Sequence, residues 1–186
     1  MSNTLTPMME QYVKIKEQYP NEILFYRLGD FYEMFFDDAI KASKALGLTL
    51  TKRSNKVHDI PMCGVPYHVS ETYISKLIEQ GFKVAICDQM EDPKLAKNLV
   101  KREVTRIVTP GTFTDTNYID SRENNYLMCI VVKDYRVSIA YSDYSTGELF
   151  TTKKTFISKE DLISFVADEV DKVSPSELLF LSDNLS

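Results

Sequence analysis

The chain has 186 residues, 44% apolar and 26% charged, the proportions of an ordinary soluble globular protein with one packed domain, or one and part of another. No apolar run approaches the roughly 20 residues of a membrane span. Met1 to Gln11 shows neither the basic nor the apolar region of a secretory signal. Cys63, Cys87 and Cys129 form no C-x-x-C pair, which argues against a disulfide framework or a zinc site and fits a reducing cytoplasm. The net charge of −5 is uneven: residues 1–114 carry 15 Lys and Arg against 14 Asp and Glu, while residues 115–186 carry 7 against 13.

The first predicted helix opens at Thr6-Pro7, a good N-cap followed by a proline suited to the first helical position. Met8, Tyr12, Ile15 and Tyr19 then recur at helical spacing as far as Pro20-Asn21. Residues 23–27 read as a short buried strand. Gly29 breaks it before Phe31-Tyr32-Glu33, and a helix is predicted from Met34 to Leu46 with Gly47 as its stop. Residues 48–51 alternate like a strand and lead into a polar basic loop, Lys52-Arg53-Ser54-Asn55-Lys56. Ile60 to His68 reads as a rigid apolar turn, because two prolines and a glycine suit neither a helix nor a central strand. Ser70 is expected to cap a helix through Glu79, with Thr72, Tyr73, Leu77 and Ile78 near one side and Gly81 at its end. Residues 83–87 form a buried strand, Asp92-Pro93 opens a second basic stretch, and residues 104–109 form a strand ended by Pro110-Gly111.

Residues 112–123 are the linker candidate, being polar and without sustained period. Strands follow at 126–132, 137–144 and 149–152. A capping box at Ser158-Lys159-Glu160-Asp161 opens a helix to about Val173, and residues 178–181 are a last strand. This β-β-β-α-β run shows no partner for its last strand, so the chain is expected to end inside a second domain.

If residues 31–33 are extended, Phe31 and Glu33 point one way and Tyr32 the other. A ring beside a carboxyl can enter a stack of bases and hydrogen-bond the base next to it. A buried core aromatic is the other role open to Phe31. Basic residues cluster at Lys41, Lys44, Lys52, Arg53 and Lys56, and again at Lys94, Lys97, Lys101, Arg102 and Arg106. Phosphate contact and a solvated face both account for such clusters. Asp30, Glu33, Asp37 and Asp38 are the acidic grouping a metal-dependent nuclease would need, yet they lack a nearby Lys or His. Asp143 has no companion acids and is expected to serve a turn.

Phe25-Tyr26-Arg27-Leu28-Gly29-Asp30-Phe31-Tyr32-Glu33 resembles the mismatch-reading segment of the MutS family of DNA mismatch repair proteins. Thr6-Pro7-Met8-Met9, Leu50-Thr51-Lys52-Arg53, Ile60 to His68, Val84 to Gln89, Lys101 to Val104 and Thr109 to Thr112 follow in the family's order. Ser142 to Glu148 resembles the first hairpin of its connector domain, and the resemblance covers essentially the whole chain. Asp88-Gln89 departs slightly from a more usual Glu-Gln. The resemblance implies an α/β protein: a mismatch-recognition domain over 1–111, with a mixed sheet and flanking helices, then an incomplete ribonuclease-H-like α/β domain over 124–186.

The resemblance further implies binding of double-stranded DNA with mismatches or small loops, Phe31 acting as a wedge and Glu33 as a base partner. Lys52, Arg53, Arg102, Lys101 and Arg106 are the phosphate candidates. Tyr67 and His68 either pack beside the groove or belong to a rigid turn. The resemblance implies ATP and Mg²⁺ for the ATPase of the full-length family, and a homodimer and a MutL-type partner for the full-length protein. No G-x-x-x-x-G-K-[ST] occurs in these 186 residues, so neither cofactor nor catalysis is expected of this chain. The rival expectations are a junction-binding relative of the same family and the metal-dependent nuclease.

Overall fold

A computed structural model describes residues 5–54, 59–92, 98–113 and 124–182. The chain divides into two compact units, Met1–Thr109 and Pro110–Ser186. In the first, helix α1 (Pro7–Gln18) is capped by Thr6, whose hydroxyl accepts from the Met9 amide, with Pro7 in the first turn. Strands β1 (Glu22–Leu28) and β2 (Phe31–Phe35) form a hairpin, and helix α2 (Phe36–Leu46) ends on Gly47 at φ 67°. Then come β3 (Thr51–Ser54), β4 (Asp59–Pro66), α3 (Ser70–Glu79), β5 (Lys83–Gln89) and β6 (Arg102–Val108). The sheet order is β3-β4-β2-β1-β5-β6, with only β1 and β5 parallel.

Both faces of this sheet are covered. Met9 and Tyr12 of α1 pack on Leu24, Tyr26, Phe35, Ile60, Ala85 and Cys87. The Tyr12 ring stands edge-on to Tyr26 and Phe35 at 5.3 and 5.0 Å. On the other face α2 and α3 bury Ala39, Ala42, Ile74, Leu77 and Ile78. Phe35, Glu33 and Phe31 share the α1 face by alternation. Phe35 is sealed, Glu33 is half-buried and Phe31 is exposed, so cover on that face runs out towards the β1–β2 turn.

Several boundaries correct the sequence expectations. Met34 and Phe35 belong to β2, and α2 starts abruptly at Phe36 with φ 53°, a strained conformation for a bulky residue. Lys52 and Arg53 lie on β3, not in a loop. Ile60 to Pro66 is strand, not turn. β4 pairs with β3 over residues 59–62 and with β2 over 62–66, so Pro61 and Pro66 each face one neighbour and neither breaks a two-sided ladder. Ser70 does not cap α3; Val69 holds that position, and the Ser70 hydroxyl donates to the Tyr67 carbonyl. Lys56, Lys94, Lys97 and linker residues 114–123 lie outside the described residues.

In the second unit β7 (Tyr126–Lys133), β8 (Arg136–Asp143) and β9 (Glu148–Thr155) are antiparallel, followed by α4 (Lys159–Val173) and β10 (Glu177–Ser182). Ser158 caps α4 as its capping box predicts, accepting from the Asp161 amide. The last strand does have a partner: β10 lies parallel to β7, giving the order β10-β7-β8-β9. No helix among the described residues is long and apolar enough to cross a membrane.

Candidate nucleic-acid interface

The β1–β2 turn is two residues, Gly29 at φ 58° and Asp30, and it puts Phe31 opposite Leu28 on one side and Pro66 on the other. Phe31 is 47% exposed. Tyr32 points to the opposite face, buried, and its hydroxyl donates to Asp88 Oδ1 at 2.6 Å. The other Asp88 oxygen accepts from Thr105 at 2.6 Å. Burial, followed by these Asp88 contacts, pushes the Tyr32 phenol up to about 12. It therefore stays a neutral donor, and β2 is tied across β1 to β5 from beneath.

Glu33 sits opposite Gly64. A β-carbon at Gly64 would lie 3.2 Å from the Tyr32 carbonyl oxygen and 3.4 Å from Glu33 Cγ, so the glycine makes room for the carboxylate stem. Burial raises the Glu33 carboxyl above the usual range, and the Arg53 guanidinium opposes that shift across a 3.3 Å contact. The result is an apolar ring beside a carboxyl that gives up its charge more readily than a solvated one.

The expected cations are brought together only in part. Arg53 joins Glu33. Lys52, its neighbour on β3, alternates to the other side and pairs with Asp59. Lys101 pairs with Glu103 at 2.6 Å, and Arg106 with Glu71 of α3 at 3.0 Å, on the face opposite Phe31. Lys52, Arg53, Lys101 and Arg106 are all substantially exposed. Arg102 requires correction. It is buried under α1, donating to the carbonyls of Arg27 and Val100 and to Gln11, with its guanidinium carbon 5.0 Å from the Tyr26 ring centre. Those acceptors make it an internal strut and not a surface phosphate contact. Tyr67 and His68 form a 3-10 turn directly after Pro66, both exposed, their rings 5.9 Å apart and edge-on.

Sequence reasoning passed over Arg27 and Asp88. Arg27 stands opposite Tyr32, its guanidinium carbon 3.6 Å from the Tyr67 ring centre. Strand pairing of 26–28 with 31–33 was the available signal, since it places Arg27 directly across from Tyr32. The acidic grouping does not assemble for metal. Asp38 is buried, accepting from the Leu24 amide and Tyr12 and pairing with Lys16 at 2.9 Å. Among the described residues no group of three His, Cys, Asp or Glu is placed to hold a metal ion. Asp143 serves its turn, accepting from Ser145, Thr146 and Asn125. Burial acts to raise its carboxyl, and these bonds outweigh burial and hold it below the ordinary value.

One protein-family model, MutS domain I, matches residues 6–117. Curated relatives match nearly the whole chain. It is 54% identical over 180 residues to a DNA mismatch repair protein MutS from Fusobacterium nucleatum, covering 94% of this chain and 19% of that protein. A DNA mismatch repair protein MutS from Staphylococcus haemolyticus is 53% identical over 180 residues, 96% of this chain and 20% of its own length. The namesake from Staphylococcus aureus is 49% identical over 187 residues, 100% of this chain and 20% of its own. The chain belongs to the MutS family of DNA mismatch repair proteins. It spans about a fifth of the length of these relatives.

Proposed function

We propose that this chain recognises mispaired or unpaired bases in double-stranded DNA by wedging Phe31 into the base stack while Glu33 hydrogen-bonds the displaced base. The observation that carries this reading is Phe31, 47% exposed beside a two-residue turn, on the same face as a half-buried carboxyl. Unstacking a base costs a few kcal/mol and least where pairing is already defective, and kinking the duplex adds about 1–6 kcal/mol. Stacking on an aromatic ring returns roughly 1–3 kcal/mol whatever the base. A protein that must kink DNA to bind therefore selects faulty steps without reading one sequence.

Glu33 adds discrimination. An ionised carboxylate repels phosphates, while a protonated one donates to a ring nitrogen of a base that has moved to meet it. Arg53, on the Phe31 face, contacts phosphate by exchanging a weak surface ion pair for the DNA backbone, and Tyr67 and His68 flank the groove; Lys52 and Arg106 face the other side of the sheet and contribute only to the general attraction for the polyanion. On the same reading the second unit begins a ribonuclease-H-like connector domain. The rest of the full-length protein supplies the ATPase with ATP and Mg²⁺, the homodimer and the contact with a MutL-type partner.

Fluorescence-anisotropy titrations against a mismatched duplex, the matched duplex and a four-way junction test this. The mismatched duplex should bind tightest. Phe31→Ala should remove that preference, a loss of about 1–3 kcal/mol, while leaving the salt dependence in place. Neutralising one phosphate contact such as Arg53 should lower the salt slope by about 0.9. Mismatch selectivity that survives Phe31→Ala sinks the wedge, and tightest binding to the junction favours a junction reader.

A further inference from the structure

The Gly29–Asp30 turn that carries Phe31 is closed by a ring of contacts. Arg27 Nε–H donates to the Gly29 carbonyl at 2.5 Å. The Tyr67 amide donates to the Asp30 carbonyl at 2.9 Å. The Arg27 guanidinium lies over the Tyr67 ring with 3.6 Å between its carbon and the ring centre, and reaches the Tyr32 ring at 5.5 Å. Both carbonyls of the turn are thus held, one by each member of a stacked pair. The backbone of Arg27 is fixed from the other face, where buried Arg102 donates to its carbonyl at 2.7 Å.

We propose that Arg27 is a positioning residue that locks the hairpin turn to Tyr67 and so presents the Phe31 ring at one fixed angle. The inference rests on the reading of Phe31 as a wedge. A ring that must part a base stack delivers its stacking energy only if the turn behind it does not give way, and a two-residue turn with a left-handed glycine has many other conformations open to it. Arg27 suits the task where Lys would not. Its planar fork stacks on a ring and donates in the plane at the same time. Its guanidinium is engaged in the clamp, so it acts on DNA through Phe31 and not as a phosphate ligand.

The test uses the full chain with Arg27→Gln, Arg27→Lys and Tyr67→Leu, reading three quantities: the affinity ratio for mismatched over matched duplex, the salt slope, and hydrogen exchange of the Tyr67 amide. Exchange of the β1 and β5 amides reports whether each variant is folded. Both Arg27 variants should cut the affinity ratio by about tenfold, the size expected for one stacked guanidinium and one hydrogen bond. The salt slope should stay at the wild-type value while Tyr67 exchange quickens, and Tyr67→Leu should reproduce the lost selectivity. In a Phe31→Ala background Arg27→Gln should cost nothing more. A salt slope lowered by about one unit would make Arg27 a phosphate contact and overturn the proposal. Full rescue by Arg27→Lys, or Tyr67 exchange unchanged in Arg27→Gln, overturns it too. If the wild type shows no mismatch preference, the wedge reading fails by itself, and the clamp then stands or falls on the Tyr67 exchange alone.

Discussion

The two sheets of this chain treat apolar side chains differently. In the six-stranded sheet, helices cover both faces, and the rings of Tyr12, Phe25, Tyr26 and Phe35 belong to residues buried to 1% exposure or less. In the four-stranded sheet, α4 packs Leu162, Phe165 and Val166 against Met128, Ile130 and Val137. Its edge strand β10 leaves Leu178, Leu179, Phe180 and Leu181 between 45% and 60% exposed. An exposed aromatic is therefore unremarkable in the second unit and an exception in the first. What separates Phe31 from Phe180 is not exposure but setting. Phe31 stands beside a carboxyl whose ionisation is suppressed by burial, on a turn with both carbonyls held; Phe180 is one of four apolar neighbours in a row.

The largest effect expected from this contrast is in the core under α1. Phe35→Ala removes a fully buried ring packed on Tyr12 and should cost about 3–5 kcal/mol. Amide exchange should rise throughout Met1–Thr109 while the β7–β8 amides keep their protection. Equal loss of protection in both units would show that they unfold as one body and would break the comparison.

Local side-chain chemistry made part of this fold legible in advance. Thr6-Pro7, Gly47 and Ser158 announce helix ends because a cap is a bond between near neighbours, and each is found in its place. The alternation of Phe31, Tyr32 and Glu33 was legible for the same reason. Ser70 is a local miss, its hydroxyl bonding Tyr67 three residues back instead of capping α3, but most of what escaped depends on partners distant in the chain. β4 looked like a turn because one strand of sequence does not reveal that its prolines each face a single neighbour. Arg102 looked like a surface cation because its acceptors, Arg27 and Gln11, lie 75 and 91 residues away. Glu33 and Arg53 meet across 20 residues, and Tyr32 finds Asp88 across 56.

A subtler prediction concerns Glu33. Burial raises its folded-state carboxyl pKa above the unfolded value, with Arg53 only partly offsetting it. With that sign, its contribution is most favourable below the unfolded pKa and is lost as pH rises through the folded one. Glu33→Gln should therefore stabilise the first unit at pH 7 and gain less as pH falls towards 4, in paired denaturant melts. The same variant should bind matched duplex more tightly, since a charge facing the phosphates is gone, and so narrow discrimination. Equal melting shifts at both pH values would mean that Arg53 fully offsets burial and that the Glu33 pKa does not change on folding.

The smallest expected effect sharpens the contrast from its other side. Leu181 is 60% exposed on β10, opposite Val131, and threonine is as much at home in a strand as leucine. Leu181→Thr should shift stability by no more than about 0.5 kcal/mol and leave duplex selectivity untouched. Yet it removes a quarter of an apolar row on a strand whose outer edge is unpaired among the described residues, the kind of surface that draws chains together. Sedimentation at rising concentration should show less self-association for the variant than for the wild type. A fall in mismatch selectivity in Leu181→Thr would mean that exposed apolar side chains of both units read DNA, and the setting of Phe31 beside Glu33 would lose its special meaning.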